Sequence, residues 1–315
     1  LALDAESVSK ALFIQGNSYF KGNDHEQAII AYRKIVDNYP QISWANNALF
    51  QMGMSYQKLS DKDLNALPAV SKTFSDYYAT YPEDKNALFA YYYDAWGRWR
   101  MGKWREASET FLALSNKYPR SKFASEALFR AGDAIFNMRG AKVSNDEKYT
   151  EAMALYEQVV SRYPKSEHVD DALYNKAWCL INLKREAESV PLFEEIVERF
   201  ADGRYGPRSQ FSLGDFYYGT KEYDKATERY EKFLALFPDD KLFPRAQHLL
   251  GQLGEIDAYN LYSKGEALFD QKDFDNAIKI FEEVQNKYPQ SDQAVNAAVN
   301  IAPRPKALNG NIIGM

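Results

Sequence analysis

One dipeptide recurs through this chain and fixes most of what it can fold into. An aromatic residue followed by proline stands at Tyr39-Pro40, Tyr81-Pro82, Tyr118-Pro119, Tyr163-Pro164, Phe237-Pro238 and Tyr288-Pro289. Phe200-Ala201 fills the place between the fourth and fifth of these. The basic step is 37 residues, and the longer steps of 42, 45 and 51 are that step with insertions of 5, 8 and 14. Self-similarity at such a period marks an array of units that bury their apolar faces only against one another.

Each step reads as helix–turn–helix. In the clearest unit, Leu213, Gly214 and Tyr217 share one helical stripe, and Ala226, Tyr230 and Phe233 share a second. Spacings of three and four are those of amphipathic helices. Thr220-Lys221-Glu222-Tyr223-Asp224 between them is a polar turn, and Pro238 closes the unit because proline cannot continue the helical ladder. The small Gly214 and Ala226 let the two helices approach, with aromatic rings beside them. The same offsets return at Gly16, Tyr19, Ala28, Tyr32, Ile35 and Pro40, and at Gly265, Leu268, Ala277, Phe281, Val284 and Pro289.

This small–aromatic–small–aromatic–Pro order resembles the tetratricopeptide repeat over roughly residues 8–302, in seven units. The resemblance implies an all-α, right-handed superhelical solenoid of about seven helix–turn–helix repeats plus a partial eighth. The units fall at about 8–40, 41–82, 83–119, 120–164, 165–201, 202–238 and 239–289, with a partial cap at 290–302 and an irregular, weakly packed tail at 303–315. The period is 37 where the standard repeat has 34, the extra residues lying between the proline and the next first helix. There Pro119-Arg120-Ser121, Pro164-Lys165-Ser166 and Pro289-Gln290-Ser291 place a serine to N-cap the following helix. Tyrosine–proline linkers of this kind are similar to those of bacterial envelope members, such as the outer-membrane assembly lipoprotein and the Tol-Pal coordinator. That likeness implies a periplasmic location, with a cytoplasmic one as the alternative, and allows a lipid anchor lost from this sequence.

The insertions single out particular places. Two fall in the turns inside units two and four, near 60–68 and 138–149. Pro191, early in the second helix of unit five, is expected to delay or kink it. Residues 243–256 read as the first helix of a degenerate unit without its second helix, running on into 259–270 as one long helix. An eighth first helix is expected at 292–302.

Composition excludes several functions. The net charge of -5 argues against a nucleic-acid surface, which needs a basic face. No stretch approaches the roughly 18 apolar residues that cross a membrane. The one cysteine, Cys179, leaves neither an internal disulfide nor a cysteine-rich zinc site. His25, His168 and His248 lie in three different units without ligand spacing, and are read as solvated rather than metal-binding. Asp170-Asp171 and Asp239-Asp240 follow unit-closing positions and suit helix N-termini better than acid–base chemistry. No phosphate loop, nucleophile turn or dinucleotide fingerprint is present, so neither a catalytic site nor a cofactor is expected.

In such an array the first helices line the inner face. Three rows of positions, spaced i, i+4 and i+7, point into it. The i row is aromatic throughout: Phe13, Phe50, Tyr92, Phe129, Tyr174, Phe211 and Tyr262. The i+4 row is Asn17, Met54, Trp96, Asp133, Trp178, Asp215 and Glu266, and the i+7 row is Phe20, Gln57, Trp99, Phe136, Ile181, Tyr218 and Phe269. The i row is equally read as core packing between first helices, whereas the variable i+4 row is what recognition requires. The expected partner-binding set is therefore Asn17, Met54, Trp96, Trp99, Asp133, Phe136, Trp178, Asp215, Tyr218 and Glu266, with Trp96, Trp99 and Trp178 as anchors. Family members that grip a free C-terminal carboxylate use a lysine–asparagine clamp, and these rows hold no lysine.

The function expected is a non-catalytic scaffold or adaptor binding a protein or peptide, in a cell-envelope complex. Two alternatives stay open: the superhelical arm of a larger cell-wall enzyme, and an architectural homo-oligomer.

Overall fold

The computed structural model describes residues 4–139 and 144–301. These residues form fifteen α-helices and one 3₁₀ turn at Leu64–Ala66, with no strand among them. The chain groups into two units, Leu1–Phe200 and Ala201–Met315. Unit 1 holds five helix pairs: α1 (Ala5–Lys21) with α2 (His25–Asn38), α3 (Ala45–Ser60) with α4 (Leu67–Thr80), α5 (Ala87–Arg100) with α6 (Trp104–Lys117), α7 (Ala124–Asn137) with α8 (Asn145–Arg162), and α9 (Val169–Asn182) with α10 (Glu186–Arg199). Unit 2 pairs α11 (Gly206–Gly219) with α12 (Tyr223–Leu236) and α13 (Phe243–Asp270) with α14 (Phe274–Lys287), then adds α15 (Asp292–Ile301). The all-α repeat architecture read from the 37-residue period is thus the one observed.

The turn inside five of the seven repeats rests on one left-handed residue. Asn23, Gly102, Lys184, Lys221 and Lys272 have φ between 60° and 72°. After each, the next N–H donates to the carbonyl five residues back, as from Asp24 to Tyr19 and from Glu222 to Tyr217, both at 2.9 Å. This is the Schellman closure, which uses carbonyls that the ending helix leaves unpaired.

The aromatic of the recurring dipeptide ends each second helix. Its N–H closes a last helical bond, Tyr39 to Ile35 at 2.8 Å for example, and its backbone then leaves the helical region at φ -134°, ψ 48°. A following proline disfavours helical geometry in that residue. Yet Phe200, followed by Ala201, ends α10 in the same way at φ -135°, ψ 37°. The proline reinforces the stop and does not alone create it.

Packing within a pair turns on missing atoms. A Cβ added at Gly16 would lie 2.5 Å from the Tyr32 ring, at Gly53 2.8 Å from Phe74, at Gly132 2.8 Å from Tyr156, at Gly214 2.5 Å from Tyr230, and at Gly265 2.6 Å from Phe281. In the third and fifth repeats the same position is the fully buried Ala95 or Ala177, and the second helix offers Phe111 or Phe193. The second-helix ring thus lies on the backbone of the first helix.

Three details differ from expectation. Pro191 neither shortens nor delays α10, which starts at Glu186, spans 14 residues like its neighbours and takes the proline in as its sixth residue. Of the three linker serines only Ser291 caps its helix, accepting from the Ala294 N–H at 3.1 Å. Ser166 accepts instead from His168, two residues on, at 3.2 Å, and the Ser121 hydroxyl is buried without a partner. The insertion in the second repeat is the 3₁₀ turn before α4, while that in the fourth repeat is described only at its ends. Position 302 and the tail expected at 303–315 lie outside the described residues.

The expected long helix is present. α13 runs unbroken for 28 residues, and no heavy atom outside its own turns comes within 4 Å of a Cβ built at Gly251 or Gly254. Gly251 stands 37 residues after Gly214, at the covered position of a repeat whose second helix is missing. The two glycines therefore predict opposite responses. Gly214→Ala overpacks the Tyr230 contact and is expected to destabilise by about 1–3 kcal/mol. Gly251→Ala only improves helix propensity, stabilising by up to about 1 kcal/mol. Urea melts followed by circular dichroism measure both, and equal effects would refute the packing assignment.

Candidate partner-binding face

The three inward rows of the first helices have different fates. Every member of the i row meets the ring of its own second helix, from Phe13 against Tyr32 to Tyr262 against Phe281, at centroid separations of 5.3 to 6.3 Å. This row is core, in tilted and edge-on geometries that aromatic quadrupoles favour.

The aromatic members of the i+7 row clasp the hairpin. Phe20 with His25, Trp99 with Trp104, Phe136 with Tyr149, Tyr218 with Tyr223 and Phe269 with Phe274 lie 5.0 to 6.1 Å apart, each pair joining the end of a first helix to the start of the second. Trp99, Phe136 and Tyr218, expected in the groove, thus engage inside their own repeats.

The i+4 row follows a rule of pairing. Where the second helix carries tyrosine, the i+4 residue is an acceptor for its hydroxyl: Tyr32 donates to Asn17 at 2.8 Å, Tyr156 to Asp133 at 2.9 Å, and Tyr230 to Asp215 at 2.7 Å. Where it carries phenylalanine, at Phe74, Phe111, Phe193 and Phe281, the i+4 residue is Met54, Trp96, Trp178 or Glu266. Much of the row's variation therefore answers to the neighbouring ring. A buried hydroxyl without an acceptor is costly, so tyrosine and acceptor go together.

Asp133 carries this furthest. Its buried carboxylate also accepts from Asn175 Nδ2 at 3.0 Å and Arg130 Nη1 at 3.1 Å, tying α7, α8 and α9 together. Burial raises its pKa, against the lowering effect of the Tyr156 hydroxyl and Arg130. The Arg130 guanidinium lies 5.5 Å over the Trp96 ring and 5.4 Å over Phe129, placing a cation on the first-helix face. Asp215 takes a weaker cation, Arg245, at 3.3 Å.

Three members of the expected set accept no tyrosine hydroxyl and clasp no hairpin: Met54, Trp96 and Trp178. Glu266 lies beside the Tyr262 hydroxyl of its own helix. Trp178 is 38% exposed, though its ring neighbours Tyr174. Trp96 is half-buried, edge-on to Phe111 at 5.6 Å. These two rings give unit 1 indole surface on its first-helix face.

Residue reasoning missed two polar sites. Asp94 is fully buried and accepts from the Ser71 hydroxyl, from Tyr78 at 2.8 Å and from Arg98 Nε at 2.7 Å, while Arg98 also reaches Glu106 at 2.8 Å. This pins α4, α5 and α6. The matching positions elsewhere, Gln15, Met52 and Ala131 among them, gave no pattern to reveal it. The histidines also differ from expectation. His25 is buried against Phe20, with its pKa pushed down by burial, and His168 stacks on Phe129 at 5.5 Å and 4° beside Asp171. Only His248 is exposed. An aromatic neighbour took in each of the other two, Phe20 across the hairpin for His25 and Phe129 of the preceding repeat for His168.

No group of three or more His, Cys, Asp or Glu side chains that could hold a metal occurs among the described residues. Burial pushes the Cys179 thiol up to about 12, far from a reactive thiolate. No described helix is long and apolar enough to cross a membrane.

A family model described as tetratricopeptide repeat matches residues 10–41, 126–166, 171–203, 208–240 and 259–291, more than half of the chain. Among solved structures, a tetratricopeptide repeat protein from Parabacteroides merdae is 12% identical, with a TM-score of 0.46 over 94% of this chain and 98% of that one. PilF from Pseudomonas aeruginosa is 15% identical, at 0.42 over 77% and 98%. MamA from Desulfovibrio magneticus is 20% identical, at 0.40 over 65% and 97%. No curated protein matches the sequence.

The pairing rule predicts a specific rescue. Tyr32→Phe strands Asn17 and is expected to destabilise by about 1 kcal/mol. Adding Asn17→Met recreates the Phe74/Met54 pair of the second repeat and should recover most of the loss, a coupling of at least about 0.5 kcal/mol. Additive losses in a urea double-mutant cycle would reject the rule. The second prediction concerns His168, whose pKa Asp171 raises above the usual 6.5. Stability from this pair is present below that value and declines as pH rises through the higher folded one. Asp171→Asn should lower the titration point of His168, read from its ring protons by NMR; an unchanged midpoint would dismiss the pairing.

Proposed function

The chain belongs to the tetratricopeptide repeat family, whose members generally mediate protein–protein interaction, and from that premise we propose that it is a non-catalytic scaffold that grips a partner protein on the first-helix face of unit 1, with Trp96 and Trp178 as anchors. The observation that carries this reading is the contrast along the inward rows. The i row and most of the i+7 row meet rings of their own repeats, whereas Trp178 keeps 38% of its surface open. Large, rigid indoles are the side chains that most often dominate binding energy. Met54, half-buried on α3, offers an adaptable contact on the same set of helices.

The proposal extends to a setting: a subunit of a bacterial cell-envelope complex, located in the periplasm. What supports it is the tyrosine–proline linker and its 37-residue period. Detection of the native protein in the cytosolic fraction of its source cells would remove this part and leave the binding face untouched.

The face itself is tested by crosslinking capture with wild-type and Trp96→Ala/Trp178→Ala baits. A partner enriched by the wild type should bind the double variant at least about thirtyfold more weakly, the equivalent of roughly 2 kcal/mol at one anchor. The variant must retain its helical circular dichroism. Equal capture by both baits would move the site off this face, and capture of this chain alone would favour an architectural role.

A further inference from the structure

Unit 2 contains a cavity that the anchors of unit 1 do not account for. It has a volume of about 310 Å³ and is lined by Glu266, Phe269 and Asp270 of α13, Phe281 of α14 and Asn300 of α15. That size is at the small end for ligand pockets, roughly 300–1,000 Å³, and suits a side chain rather than a cofactor.

Its chemistry is one-sided. Glu266 and Asp270 stand one helical turn apart, and both are exposed. Glu266 also neighbours the Tyr262 hydroxyl, whose pKa its charge helps to raise after burial. Asn300 Nδ2 donates one N–H to the Tyr262 hydroxyl at 2.8 Å, and its amide oxygen is an acceptor at the same rim. The ring beside these acceptors is that of Phe269, half-buried and edge-on to Phe274, while Phe281 behind it is 1% exposed and closes the cavity from the core side. The cavity therefore offers two carboxylates and an amide oxygen around an aromatic floor, and no lining cation.

We infer that this cavity receives an arginine side chain presented by a partner protein. Charge selects a cation, and the arrangement selects arginine over lysine. A guanidinium is planar, lies flat on aromatic rings and directs five N–H donors outward in a fixed fork, so it can engage carboxylates one turn apart together with an amide oxygen. Its weakly hydrated face suits the phenylalanine floor, and its methylenes cover apolar surface on the way in. An ammonium group is a compact, strongly hydrated charge that gains less from the rings. The site lies wholly in unit 2 and stands whatever Trp96 and Trp178 bind.

The test uses the full chain labelled with ¹⁵N-asparagine and titrated with Nα-acetyl-arginine N-methylamide, with the side-chain amide of Asn300 as reporter. The arginine probe should give a saturable shift that weakens as salt is added. The citrulline analogue, of the same shape but uncharged, should bind at least tenfold more weakly. Glu266→Gln/Asp270→Asn, both at exposed positions, should lose the response to arginine by the same factor while its helical circular dichroism stays unchanged. Equal binding of the citrulline analogue overturns the inference without recourse to any variant, and so does the absence of a saturable arginine shift in the wild-type protein.

Discussion

One contact sets the rest of this molecule: an aromatic ring on a second helix pressed against a first helix that has a glycine or alanine there. The contact fixes the distance between paired helices, because any larger residue would meet the ring. At that distance the i-position ring necessarily touches the same second-helix ring, and the hairpin is short enough for a further aromatic pair to close its open end. Much of the chain's aromatic content is absorbed in this way. Close packing of rings against backbone leaves little tolerance for extra volume, so the repeat can vary in its polar dress but hardly in its small positions.

Beyond that contact the junctions become individual. Asp94 fastens the second repeat to the third through Ser71, Tyr78 and Arg98, while Asp133 fastens the fourth to the fifth through Tyr156, Arg130 and Asn175. Both are buried acids whose acceptor sites are met by donors from neighbouring helices. That is the condition under which a buried carboxylate is tolerable at all. Stability of an array like this is a sum of repeats and junctions, so these two sites distinguish junctions that otherwise share one design. Among the described residues unit 2 has no acid so deep: Asp215, its counterpart of Asp133, is only partly covered and meets Arg245 at a longer distance.

Legibility in the sequence followed the same division. The period, the helix pairs and the fused α13 were all readable, because they repeat and can be checked against one another. The core role of the i row was readable too, since seven rings in seven repeats signify architecture. The meaning of the i+4 row was present in the letters and easily overlooked: Asn17, Asp133 and Asp215 stand only where the second helix carries Tyr32, Tyr156 and Tyr230. Reading the two helices together, not row by row, would have found it. The burial of His168 and the Asp94 network were out of reach, because each depends on a single junction that occurs once, whereas His25 holds the recurring clasp position that Trp104, Tyr149, Tyr223 and Phe274 fill elsewhere. Pro191 was misjudged because α10 keeps its start at Glu186 and its full length with the proline inside it.

The fused helix α13 has one more consequence, which concerns phase. Gly251 and Gly265 occupy equivalent repeat positions 14 residues apart on a single helix. At 3.6 residues and 5.4 Å per turn, 14 residues are about 3.9 turns, so the two glycines differ by only about 40° around the axis and about 21 Å along it. The 14-residue offset therefore puts both glycines on nearly the same side of α13, although only Gly265 is covered there, by Phe281 of α14. A splice of 12 or 16 residues would have rotated the surviving α14 contact by roughly 120° to 160°, away from the face it now covers. Two first-helix positions can thus share one continuous helix and one face when their separation is close to whole turns, as in α13.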